Sequence, residues 1–197
     1  MQVKYQQGVG LLEVLVALML LAIAVLGFVA LQLRAVEATA EGANRIQAIN
    51  IARDLAEKIR INNSAITEYQ TQLANNDNND NNGNNGNNGN NGNNGNNDNQ
   101  ATSGSKCYTG FCTPTEKAVF DVHEASVQAT SAGMTLNMIT CPGTANGRRC
   151  IYVAWGKTDP VDTTAMTTGH TECTTSSSSS SSFSYNDNST CIVMETY

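Results

Sequence analysis

Proline is almost missing from this chain: three occur in 197 residues, and none precedes Pro114. Nothing of that kind therefore breaks a helix in the first half. Cysteine is absent from the first 106 residues, and all six (Cys107, Cys112, Cys141, Cys150, Cys173 and Cys191) follow. An even count on one side of an apolar segment fits an oxidising compartment. No CxxC pair occurs and the two histidines, His123 and His170, stand far apart, so no zinc-ligand spacing is present. Basic charge is short as well: 11 Lys and Arg against 17 Asp and Glu give a net charge of −6. That balance argues against a generic nucleic-acid binder, and no direct nucleic-acid partner is expected. The chain has no GxSxG nucleophile, no HExxH pair and no phosphate loop, so the expectation is a non-enzyme without metal or cofactor. The length allows one modest domain plus an anchor.

What is abundant is apolar sequence, concentrated in the first 33 residues. Val14 to Leu31 is an unbroken run of 18 residues without a polar side chain. With its flanks it approaches the ~20 residues that cross a bilayer, where a helix is required to satisfy the backbone. A secretory signal has a shorter core followed by an A-x-A site, whereas this sequence runs on as LQLRAVEATAEG. A plain anchor explains the length but not Glu13. A carboxylate in an apolar span costs about 2.5–3.5 kcal/mol at the centre and less near an end.

The segment Gly8-Val9-Gly10-Leu11-Leu12-Glu13 resembles the class III leader of type IV prepilins and pseudopilins. In that family a peptidase cuts after the glycine on the cytoplasmic side and methylates the new amine, with a glutamate fifth after the cut. The resemblance implies cleavage between Gly8 and Val9, methylation of Val9, and a register role for Glu13. The amine of one subunit and the Glu13 carboxylate of a neighbour are opposite charges in a low-dielectric bundle, and pairing removes the desolvation penalty each would suffer alone. Val9 stands where Phe is usual and Gly10 where Thr is common. Lys4 is the sole basic residue of the leader, a weak positive-inside signal.

From Leu33 to Ile61 the sequence turns amphipathic. Leu33, Val36, Ala40, Ala43, Ile46, Ile49, Leu55 and Ile59 recur at mostly three-to-four spacing between charged residues, which predicts one buried face. Leu11 to Ile61 is thus expected to be a single helix of about 50 residues, about 75 Å long. GVGLLEVLVAL, ALQLRAVEAT and NRIQAINIARDLAEKIRINN resemble the PilV group of minor pilins, also called type IV pilus modification proteins. The resemblance covers roughly the first 63 residues.

Residues 75–99 repeat Asn-Asn-Gly without an apolar residue to bury, which predicts an exposed loop. Collagen is excluded by the lack of proline, and Asp77, Asp80 and Asp98 do not follow the EF-hand order. Thr113-Pro114-Thr115-Glu116 is a helix start with a capping box, predicting a helix over 114–130 with Ala118, Val119, Val122, Ser126 and Ala129 on one face. Residues 135–140, 149–155 and 191–196 read as strands, with Ile151, Val153 and Trp155 on one side. CPGTANGRRC reads as a hairpin closed by its cysteines, and 174–182 as a Ser-rich loop. Six cysteines leave the connectivity open; sequential pairing, Cys107–Cys112, Cys141–Cys150 and Cys173–Cys191, is the simplest.

The expected organisation is α+β. A leader (1–8) precedes a membrane and filament-core helix (9–33) and its amphipathic continuation (34–61). An Asn/Gly-rich loop (62–106) and a disulfide-containing head (107–197) follow. The resemblance implies a type IV pilin-like fold: a long spine helix packed on a small antiparallel sheet. It further implies a minor pilin in the inner membrane, N-terminus cytoplasmic and head periplasmic, that passes to the pilus at the cell surface. Implied partners are prepilin peptidase, other minor pilins, the major pilin, the assembly machinery and a large tip adhesin. The implied roles are priming or the tip complex, with adhesion, twitching motility and DNA uptake following indirectly. The alternatives are a type II secretion minor pseudopilin and a membrane-tethered binding module.

Overall fold

A computed structural model describes residues 10–77, 107–144, 147–176 and 183–196. The chain divides into two units, one ending at Ala43 and one beginning at Asn44. Helix α1 runs Leu11–Ile61, as the absence of proline and the apolar-to-amphipathic pattern predict. Its part within the first unit is a bare helix, with almost every side chain exposed.

In the second unit, Ala48, Ile51, Ala52, Leu55 and Ile59 of α1 are buried. The predicted face is therefore partly corrected. Leu55 and Ile59 lie in the core, but Ile46 is 63% exposed and Ile49 only half-buried. The core stripe instead starts at Ala48 and passes through Ile51 and Ala52. Leu33 and Val36 of the first unit and Ile46 of the second are exposed.

A short 3-10 turn, Asn63–Ala65, leads into α2, Ile66–Asp77. Here the expectation of a loop over 62–106 is corrected for its first part. Ile66, Tyr69 and Leu73 recur at helical spacing, and Tyr69 and Leu73 are fully buried against α3 and β1. Asp77 ends α2, so the Asn-rich reading of 75–99 fails at its first three residues. The remainder of that loop lies outside the described residues.

Helix α3 spans Pro114–Ser131 and begins as its sequence predicts. Thr113 Oγ1 accepts from the Glu116 backbone N–H, and the Glu116 carboxylate accepts from the Thr113 N–H at 2.9 Å. It stops at Gly133, whose φ of +68° suits glycine and turns the chain into β1. Its buried face carries Ala118, Asp121, Val122, Ala125, Ser126 and Ala129, while Val119 is half-buried.

Strands β1 (Met134–Thr140), β2 (Arg149–Trp155) and β6 (Cys191–Thr196) form an antiparallel sheet in the order β1-β2-β6. Strand β2 is buried on both faces, which is why its run is nearly continuous in apolar residues. Ile151, Val153 and Trp155 join the helices in the main core. Cys150, Tyr152 and Ala154 alternate to the other side, beside Cys141, Cys173 and Cys191. In register, Leu136 faces Val153 and Val153 faces Ile192.

A second sheet was not anticipated. Strand β3 (Thr158–Asp162) pairs in parallel with β4 (Thr171–Ser176), which pairs antiparallel with β5 (Phe183–Tyr185). The expected Ser-rich loop at 174–182 is thus corrected, since Thr174, Thr175 and Ser176 belong to β4; residues 177–182 lie outside the described residues. The three disulfides join Cys107 to Cys112, Cys141 to Cys150, and Cys173 to Cys191. The second closes the β1–β2 hairpin, and the third ties β4 to β6 across the two sheets.

Candidate assembly interface

The first turn of α1 is built on Gly10, whose carbonyl accepts from the backbone N–H of Glu13 at 2.9 Å and of Val14 at 3.3 Å. Glu13 therefore lies at the helix N-terminus, where an acidic group complements the backbone dipole. Ala17 leaves a shallow dip beside it, flanked by Val14, Leu18 and Leu21. Between Leu11 and Leu33 Glu13 is the single charged residue. Among the described residues no basic side chain pairs with it. The segment is long and apolar enough to cross a membrane, and it is not buried within this chain. A contiguous apolar surface of that size needs lipid or other helices around it. Gly8 and Val9, the expected cleavage and methylation residues, lie outside the described residues.

At the other end of α1 the second unit is held by polar clasps that the sequence reading missed. Tyr69 donates to Asp121 Oδ2 at 2.7 Å and accepts from Asn62 Nδ2 at 3.3 Å. Lys117 donates to the other Asp121 oxygen. Asn62 also donates to the Pro114 carbonyl at 2.7 Å, so α2 and α3 are tied where α1 ends. Burial first, and the Asp121 carboxylate next, push the Tyr69 phenol well above its ordinary range. Burial lowers the Lys58 ammonium, but hydrogen bonds to Asp54 at 2.8 Å and Glu124 at 2.7 Å outweigh that and raise it. Beneath β2, Tyr152 shares a hydrogen bond with Thr174 at 3.0 Å, and Thr174 donates to Asp162. Burial pushes Tyr152 up to about 12, with the Asp162 charge assisting and the Thr174 bond opposing. The helical spacing of Ile66, Tyr69 and Leu73 was the signal that would have located the Tyr69 clasp.

The histidines have separate fates. His123 is exposed on α3. His170 places Nδ1 2.7 Å from Asp159 Oδ1, while the other Asp159 oxygen accepts from the Thr167 N–H at 2.6 Å. This pair anchors the loop between β3 and β4 beside a cleft of about 190 Å³ lined in part by Trp155, Pro160 and Met166. Among the described residues no three His, Cys, Asp or Glu side chains gather as a metal site would require.

A family model described as "Type IV pilin Tt1218" matches residues 30–123, and the prokaryotic N-terminal methylation motif matches residues 3–29. The chain carries a type IV pilin domain. No curated protein and no solved structure matches it. The two matched segments together run from the leader through α1 and α2 to His123 on α3, so the sheets of this pilin lie beyond them. Type IV pilins are structural proteins rather than enzymes. The methylation motif makes the pilin a substrate of prepilin peptidase and a client of the pilus machinery, and its apolar helix supplies the membrane anchor that precedes the pilus.

Proposed function

We propose that this chain is a minor pilin of the PilV kind, cut between Gly8 and Val9 and built into a pilus through the apolar part of α1. Glu13 carries the proposal: it is the single charge between Leu11 and Leu33 of α1, in the exposed apolar part of the helix and within the segment that the methylation motif matches. A carboxylate so placed is costly alone and inexpensive beside a cation. The methylated Val9 amine of an adjacent subunit is that cation, and the pairing sets axial register between helices. Leu33 and Val36, exposed just after the bilayer-spanning run, extend its apolar surface. The chain enters the inner membrane with a cytoplasmic N-terminus and a periplasmic head. There it primes assembly or joins a tip complex with other minor pilins, the major pilin and a large tip adhesin. Its effects on adhesion and twitching motility follow from that assembly. The six paired cysteines of the head favour the pilus over a type II secretion pseudopilus.

Intact mass spectra of the protein from membranes and from sheared fibres test this reading. The expected species begins at a methylated Val9, lacks six hydrogens for three disulfides, and is found in fibres. A Glu13→Gln chain should be cleaved and folded yet depleted from fibres at least ~10-fold. An uncleaved chain starting at Met1 and confined to membranes overturns the proposal, as does a Glu13→Gln chain incorporated like the parent.

A further inference from the structure

The three disulfides differ in what surrounds them. Cys141, Cys150, Cys173 and Cys191 are each at most 5% exposed and share one core cluster with Tyr152 and Ala154. Cys107 and Cys112 belong to neither core cluster. Both are half-buried, and the four residues between them, Tyr-Thr-Gly-Phe, are exposed, Phe111 fully so. Disulfide exchange begins when a thiolate attacks one sulfur of the bond, so its rate depends on access as well as on the thiols involved. Access is what separates the Cys107–Cys112 bond from the other two.

The fold does not need this bond closed. Its loop is the shortest of the three, with a sequence separation of 5 against 9 and 18, and a short loop constrains the unfolded chain least. The start of α3, directly after Cys112, has its own fastenings: the Thr113–Glu116 capping box and the bond from Asn62 to the Pro114 carbonyl. What the closed ring holds is local. Tyr108 meets Phe120 of α3 edge-to-face, with ring centroids 4.7 Å apart, and Phe111 stands uncovered on the same ring. A side chain on a covalently closed loop has less freedom to lose on docking than one on an open loop.

We propose that Cys107–Cys112 is a thiol-exchange site, opened by a thiolate while the other two disulfides stay closed. The co-reactant is a thiol reductant, either a small thiol or the paired thiols of a protein. Its thiolate attacks one of the two sulfurs, the S–S bond breaks, and the other cysteine leaves as a thiolate that takes up a proton. A second thiolate then attacks the mixed disulfide. The reductant departs as a disulfide, oxidised by two electrons, and the ring has gained two hydrogens. Exchange with a disulfide of the same class runs the steps in reverse. The head thus carries a switch between a closed ring, which seats Tyr108 on Phe120, and an open one. The exchange needs nothing of the apolar helix, so it holds whether or not Glu13 sets register.

The test uses the full chain in detergent with all three disulfides closed. It is incubated with reduced glutathione or, in a parallel arm, with reduced thioredoxin, and quenched with light iodoacetamide. After unfolding and full reduction, heavy iodoacetamide labels the remaining cysteines, and peptides are mapped by mass. Light label should accumulate at Cys107 and Cys112 at least ~10-fold faster than at the other four cysteines, with Trp155 fluorescence unchanged. Faster opening by thioredoxin at equal thiol concentration supports the site with a protein dithiol as its co-reactant, and faster opening by glutathione supports it with a small thiol. Equal rates at all three disulfides overturn the proposal. So does prior opening of either buried pair, or a Cys107–Cys112 bond that persists until Trp155 fluorescence reports unfolding. Replacing both Cys107 and Cys112 by Ser should remove the fast label from a chain that still unfolds cooperatively in urea, and a chain that fails to fold shows the ring to be structural and overturns the switch.

Discussion

Removing the Tyr69 hydroxyl with Tyr69→Phe isolates the clasp that ties α2 to α3. The ring is fully buried and stays in place, so no cavity forms. What is lost is the 2.7 Å bond donated to Asp121, a carboxylate only 1% exposed. Hydrogen bonds to charged groups contribute about 1.5–3 kcal/mol. Asp121 keeps Lys117, so the loss falls short of the ~3–5 kcal/mol expected when a buried charge is left alone. The expected destabilisation is about 2 kcal/mol. Trp155 is the single tryptophan and lies in the main core, so its fluorescence reports unfolding of this unit in the full chain in detergent. With a urea m-value of about 1.5 kcal/mol/M, the midpoint should fall by about 1 M. The substitution also changes the alkaline limb. The folded Tyr69 pKa is raised, so its contribution is fully present below the unfolded pKa of 10.0 and is lost as pH rises above it. Tyr69→Phe should flatten that loss, leaving the parts due to Tyr152, whose pKa is about 12, and to Lys58, which is also raised. A midpoint shift below about 0.3 M, or an unchanged alkaline slope, refutes the reasoning that this hydroxyl compensates Asp121.

Leu55→Ala deletes a fully buried side chain of the α1 stripe and should cost about 2–5 kcal/mol, read by the same fluorescence midpoint. Ile46→Ala, at an exposed position, should leave that midpoint unchanged, which separates the observed core face from the one the sequence predicts. Replacing both Cys173 and Cys191 by Ala opens an 18-residue cross-link and should cost about 3 kcal/mol, measured by urea unfolding with the other two disulfides intact.

The parts of this fold legible in the sequence are those fixed by local chemistry. The end of α1 at Ile61 and the capping box at Thr113–Glu116 need only neighbouring residues to specify them. The same holds for the alternation along Cys150–Trp155. The rest depends on partners distant in the chain. Strand β3 reads Thr-Asp-Pro-Val-Asp, a turn-like composition. It becomes a strand because β4 lies beside it and because Asp159 finds Thr167 and His170 eleven or fewer residues on. The α1 face was misplaced because Ile46 and Ile49 outrank alanine in hydrophobicity, yet the smaller Ala48 and Ala52 are the fully buried ones. At the assembly site Glu13 was legible as the one charge in an apolar run, while the Tyr69–Asp121 clasp between α2 and α3 required three dimensions.

Strand β6 lies at the edge of its sheet, paired on one side with β2, and its first residue is Cys191. An edge strand pulled from its free side unzips, because its hydrogen bonds fail one after another rather than together. Here the covalent link to Cys173 sets a stop to that unzipping. Fraying that starts at Thr196 releases at most the six residues Cys191–Thr196 before it reaches the covalent link to β4 in the other sheet. Fraying of the last strand therefore has a fixed limit, set by one covalent bond and not by the strength of the β2–β6 pairing.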